Sequence, residues 1–165
     1  MRLFIGCFVQ IEGYDHLKSL LAPLFEGNWV NEGNLHLTFK FLGEVSDVAA
    51  VVRALDGLEF PRQRRIVFDR LGMFGQKILY ATCGETELAR LASAIDDRLA
   101  GSFAREKAFV PHVTLMRVRS CEGDACNGLL PPLPQGVSLE AKLKLLLIQS
   151  EPGRRGMVYK VLREF

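Results

Sequence analysis

The stretch Leu35-His36-Leu37-Thr38-Phe39-Lys40-Phe41-Leu42-Gly43 alternates apolar and polar residues. A period of two is the signature of a β-strand with one face in a core and the other open. Regular alternation sends Leu35, Leu37, Phe39 and Phe41 one way and His36, Thr38 and Lys40 the other. An imidazole, a hydroxyl and a cation then share one open face. The same pattern returns at His112-Val113-Thr114-Leu115, so the fold must accommodate two half-open strands of this kind.

The elements around the two copies also repeat. Residues 3–9 read as a buried strand, 15–25 as an amphipathic helix capped at Asp15, and 35–42 as the first histidine strand. Residues 77–83, 86–100 and 112–118 give strand, helix and histidine strand again. A duplicated unit of this order can pack about a pseudo-twofold axis and aim both histidines into one cleft. Between the copies, Ser46 is placed to cap a helix ending at Gly57, and 66–74 reads as one strand joined to 77–83 by a turn at Gly75 and Gln76. Residues 120–136, rich in glycine and proline, form an irregular connection. Residues 137–149 and 157–162 are the last two strands, with Pro152-Gly153 in their turn.

With 165 residues, the chain can bury one sizeable core, and residues 1–165 are expected to form a single bilobal domain. A net charge of +2 allows an anionic ligand at a local site without the broad basic footprint of a dedicated nucleic-acid binder. Arg62-Gln63-Arg64-Arg65 is the only dense basic run, and it reads as a solvated turn before a strand. The N-terminal apolar run stops at Gln10, too short to span a bilayer and without a small-residue cleavage site, so a cytoplasmic protein with no membrane contact is expected. Cys7, Cys83, Cys121 and Cys126 are scattered, which suits reduced thiols; Cys121 and Cys126 are the one pair close enough to bond or to share a metal.

A histidine pair can supply one base and one acid near neutral pH, which is what displacement of an oxygen leaving group from a phosphodiester requires. Each proton transfer is worth about 100-fold to 10,000-fold. Thr38 and Thr114 are suited to hydrogen-bond the non-bridging oxygens, whose charge grows in the transition state. His16, on the outer side of the first helix, is expected to be structural. No carboxylate follows either motif histidine at a ligand spacing, and there is neither a Walker-type glycine loop nor a Gly-x-Ser-x-Gly elbow. The expectation is chemistry without a metal or a cofactor.

The two His-x-Thr motifs resemble those of the two-histidine phosphoesterase superfamily. Their surroundings are Arg2-Leu3-Phe4-Ile5, Trp29-Val30, Asn34-Leu35, Phe41-Leu42-Gly43, Phe109, Pro111 and a final hairpin with Gly156 and Tyr159. Together they resemble the bacterial and archaeal RNA 2',3'-cyclic phosphodiesterases, once described as 2'-5' RNA ligases. The resemblance implies an α+β bilobal fold, with two antiparallel sheets around a central cleft and helices packed outside. It also implies a monomer acting on RNA or oligonucleotide ends that carry a 2',3'-cyclic phosphate. By similarity His36 is the general acid, His112 the general base, and Thr38 and Thr114 bind the phosphate. Lys40 either adds charge near the phosphate or faces solvent. Arg117 falls opposite His112 by simple alternation, unless a bulge turns it inward, whereas Met116 falls on the histidine face. Small cyclic nucleotides and 2'-5' oligonucleotides stay open as substrates, as does a non-catalytic role in holding an RNA end.

Overall fold

A computed structural model describes all 165 residues. Its elements run β1 (Arg2–Phe8), β2 (Gln10–Glu12), α1 (Tyr14–Leu21), β3 (Phe25–Trp29), β4 (His36–Glu44), α2 (Val48–Leu55), β5 (Arg65–Phe68), β6 (Arg70–Phe74), β7 (Ile78–Thr82), α3 (Thr86–Leu99), β8 (His112–Cys121), β9 (Ser138–Lys142), β10 (Leu146–Gly153) and β11 (Gly156–Glu164). The class is α+β, as expected.

Eight strands form one antiparallel sheet in the order β11-β10-β1-β4-β8-β7-β6, with β3 also paired to β8, while β2, β9 and β5 form a second sheet. The two histidine strands, β4 and β8, are neighbours joined by a single register pair, Leu37 with Val113. At that seam the large sheet divides into two wings. The apolar faces of α1 (Tyr14, Leu17, Leu21), α2 (Val51, Leu55) and α3 (Leu88, Leu91, Ile95, Leu99) are buried in one continuous core with the inner faces of both sheets.

The wings share one pairing scheme. In the first, Phe8 pairs with His36 and Gly6 with Thr38; Ile5 then pairs with Lys40, so Phe39 is skipped. In the second, Thr82 pairs with His112 and Tyr80 with Thr114; Leu79 then pairs with Met116, so Leu115 is skipped. Each skip is a β-bulge one residue past the threonine, and it reverses the facing of the residues just beyond it; on β4 a second shift follows at Leu42. The carbonyl of Leu115 accepts from the Val30 N–H, just past β3, at 2.8 Å and from the Tyr14 hydroxyl of α1 at 3.3 Å.

Several boundaries differ from the expected ones. Residues 66–74 divide at Asp69, where the chain crosses between sheets, and 137–149 divide between β9 and β10 for the same reason. Leu143 and Leu145 stay buried through that second crossing, so the alternation carries no mark of it. Asp47, not Ser46, caps α2 by accepting from the Ala50 N–H at 2.9 Å. Asp15 lies inside the first turn of α1 and caps nothing; the cap is Gly13 at φ 71°, where a side chain would also strike the Gly136 carbonyl. Cys121 and Cys126 form a disulfide, because β8 runs on to residue 121 and a 3-10 turn over Gly123–Asn127 doubles back; Cys7 and Cys83 are buried free thiols. The basic run is absorbed by the chain itself, with Arg64 paired to Glu85, Arg65 to Glu140 and Arg62 laid over the Phe60 ring. No helix is long and apolar enough to cross a membrane.

Candidate active site

His36 and Thr38 from one wing and His112 and Thr114 from the other line a single cleft of about 630 Å³. Both histidines are held in the same way. The Asn34 carbonyl lies 2.7 Å from His36 Nδ1, and the Val110 carbonyl 2.8 Å from His112 Nδ1. A carbonyl can only accept, so each Nδ1 carries the hydrogen and donates it, which leaves Nε2 to exchange a proton in the cleft.

Aromatic side chains flank each imidazole. The Phe4 and Tyr159 rings both lie 4.9 Å from that of His36, the latter edge-on; Phe74 and Tyr80 lie 4.9 and 5.7 Å from that of His112. Burial among these rings holds the His36 pKa below its ordinary value, partly opposed by the Asn34 carbonyl, while the nearby His112 lowers it further. Gly72 leaves room for Tyr80, since a Cβ there would lie 2.5 Å from its ring.

The bulges decide what else reaches the cleft. Lys40, expected beside the phosphate or in solvent, does neither: it is 2% exposed and paired with Asp96 in the core. Phe41, expected inside, is 56% exposed and lines the cleft. Met116, expected on the histidine face, is buried, and Arg117 is turned inward to the cleft. His16 is exposed on α1, away from all of this.

Sequence reasoning missed Arg155, which enters from the turn between β10 and β11, and the flanking rings of Phe74 and Tyr80. Pairing partners of a motif strand were the available signal, because a residue facing the cleft from β7 sits opposite Thr114. The cleft lining holds Arg117, Arg155, two histidines and no carboxylate. Such a lining suits an anion, with two imidazoles and two hydroxyls within reach of it.

A family model described as LigT like Phosphoesterase matches residues 12–81, the part that contains the first motif. An RNA 2',3'-cyclic phosphodiesterase of Aquifex aeolicus is 27% identical, covering 100% of this chain and 96% of that protein. One of Archaeoglobus fulgidus is 28% identical, covering 100% and 99%. Among solved structures, E. coli LigT complexed with 3'-AMP shares the fold with a TM-score of 0.78 at 24% identity, covering 99% of this chain and 96% of that one. Similar to these proteins along its whole length, the chain sets both His-x-Thr strands on a fold that it shares with E. coli LigT.

Proposed function

We propose that this cleft hydrolyses the 2',3'-cyclic phosphate at an RNA or oligonucleotide end to a 2'-phosphate. The observation that carries the reading is the matched pair of imidazoles, each anchored at Nδ1 by the carbonyl two residues earlier and each free at Nε2. Full-length relatives named for this activity point the same way.

In the reaction, a water oxygen attacks phosphorus while the bond from phosphorus to the 3' oxygen breaks. His112 Nε2 takes the water proton, and His36 Nε2 gives its proton to the leaving 3' oxygen. Thr38 and Thr114 donate to the non-bridging oxygens, and Arg117 offsets their growing charge. With His36 as the acid, its lowered pKa in the open cleft is countered once the anion is bound, because the negative phosphate favours the imidazolium. The contribution of both wings to one cleft supports reading the 165 residues as a single bilobal domain, acting as a monomer. An RNA-end substrate would suit a cytoplasmic location.

The test is incubation in EDTA with an oligonucleotide ending in 2',3'-cyclic phosphate, resolving the 2'- and 3'-phosphate products. Formation of the 2'-phosphate, lost in a His36→Ala, His112→Ala double variant, supports the proposal. Undiminished turnover by that variant overturns it, as does binding of the substrate by the wild-type protein without turnover. Faster turnover of a small cyclic nucleotide would move the assignment to that substrate.

A further inference from the structure

Lys40 belongs to the His36 strand, yet its side chain makes its polar contacts on the chain leading to His112. Its ammonium donates to Asp96 Oδ1 at 2.5 Å and to the Ala104 carbonyl at 2.6 Å, and the other oxygen of Asp96 accepts the Glu106 N–H at 3.2 Å. The adjoining bulge residue, Phe39, stacks on Phe109 with the rings 13° from parallel. Both members of the β4 bulge therefore grip the same segment.

That segment has little else to hold it. Residues 104–110 belong to no helix or strand, and none of their backbone groups bonds to another backbone group. Most of them are exposed. Arg105 also pairs with Asp97, but at the exposed surface, where such a pair contributes little. At the end of the segment stands Val110, whose carbonyl orients His112. The equivalent carbonyl for His36 needs no such aid. Asn34 sits in a 3-10 turn closed by backbone bonds from Asn34 to Asn31 and from Leu35 to Glu32, and its side chain donates to the Met157 carbonyl.

We infer that the buried Lys40–Asp96 pair, with the Phe39–Phe109 stack, is a positioning device for His112. It fixes residues 104–110 so that the Val110 carbonyl meets His112 Nδ1. Through it the bulge of the first motif sets the tautomer of the second histidine. A buried pair suits the task because its charges direct two backbone groups, Ala104 C=O and Glu106 N–H, which an apolar contact cannot do.

The kinetic arm of the test rests on the proposed hydrolysis; the spectroscopic arm does not. In Lys40→Met, nitrogen NMR of the histidine rings should show His112 losing its Nδ1–H tautomer, with His36 unchanged although it is nearer in sequence. On the cyclic-phosphate substrate, kcat should fall on the order of 10- to 100-fold with KM held within about twofold, as for a misplaced catalytic group. In Lys40→Met/Asp96→Leu the unpaired buried carboxylate is gone, so Tm should recover while kcat and the tautomer should not. Where Lys40→Met does not fold, the double variant carries both readouts. A folded variant with the wild-type His112 tautomer overturns the inference, as does kcat returning together with Tm. A wild-type protein that turns over no cyclic phosphate overturns the proposed function and leaves the NMR result to decide this one.

Discussion

Phe41 and Arg117 occupy the same place on the two motif strands. Each lies five residues beyond its histidine, just past the bulge, with Phe41 opposite Phe4 and Arg117 opposite Ile78. A symmetric frame thus sets a ring on one side of the cleft and a guanidinium on the other. On the proposed reading, an RNA end would lie with its phosphate toward Arg117 and a base face toward Phe41.

Arg117→Gln should lower kcat/KM about 100-fold, the usual scale for losing one group aimed at transition-state charge. Phe41→Ala should raise KM about 10-fold and leave kcat near wild type, as for a lost stacking surface. Steady-state kinetics on a cyclic-phosphate oligonucleotide separates the two; equal effects of both variants on kcat would refute the division of roles.

His36 should titrate below 6.5 in the free protein, because burial disfavours its charged form. The folded chain then binds fewer protons than the unfolded one, so the stability linked to His36 is full above pH 6.5 and is lost as pH falls from there through the folded value. Adding 2'-AMP places an anion beside Nε2 and should raise the pKa. An NMR titration with and without the nucleotide measures both, and a free value at or above 6.5 contradicts the prediction.

Gly27→Ala and Gly72→Ala should differ in kind. A Cβ at 27 would lie 2.2 Å from the Arg117 carbonyl, a backbone atom that cannot turn aside, and about 1–3 kcal/mol of stability should be lost. At 72 the obstruction is the far end of Tyr80, which can swing. Its Tm should change little, while kcat falls because Tyr80 leaves His112. Thermal melts beside kinetics check both, and a large Tm loss at 72 would contradict the packing described.

Arg155 makes no ion pair within the chain and faces the cleft from a turn. Arg155→Gln should reduce the slope of log KM against log salt by about 1 for an oligonucleotide, the effect of one lost phosphate contact. An unchanged slope removes Arg155 from the substrate path.

The floor of the site was legible in the sequence because His36, Thr38, His112 and Thr114 all precede their bulges, where alternation still holds. Lys40, Phe41 and Met116 were misplaced because they follow them. The bulges leave no trace in the hydropathy pattern, because Lys40 keeps the alternation polar although it is buried, and Met116 only lengthens an apolar run. Arg117 could be assigned to neither face for the same reason. β3 was missed because Gly27 and Asn28 read as strand breakers, although Gly27 is what lets that strand approach β8. The disulfide was missed because neither the extension of β8 to Cys121 nor the returning turn can be read from spacing alone.

In the single pair that joins the wings, Leu37 is flanked by His36 and Thr38, and Val113 by His112 and Thr114. It is a fulcrum. Any rocking of one wing against the other displaces a residue in proportion to its distance from that point, so the residues beside it travel least, and Phe74 and Arg155, carried on outer strands and their turns, travel farthest. On the proposed reading, such rocking would let the mouth of the cleft fit RNA ends of different shape while His36 and His112 kept their spacing.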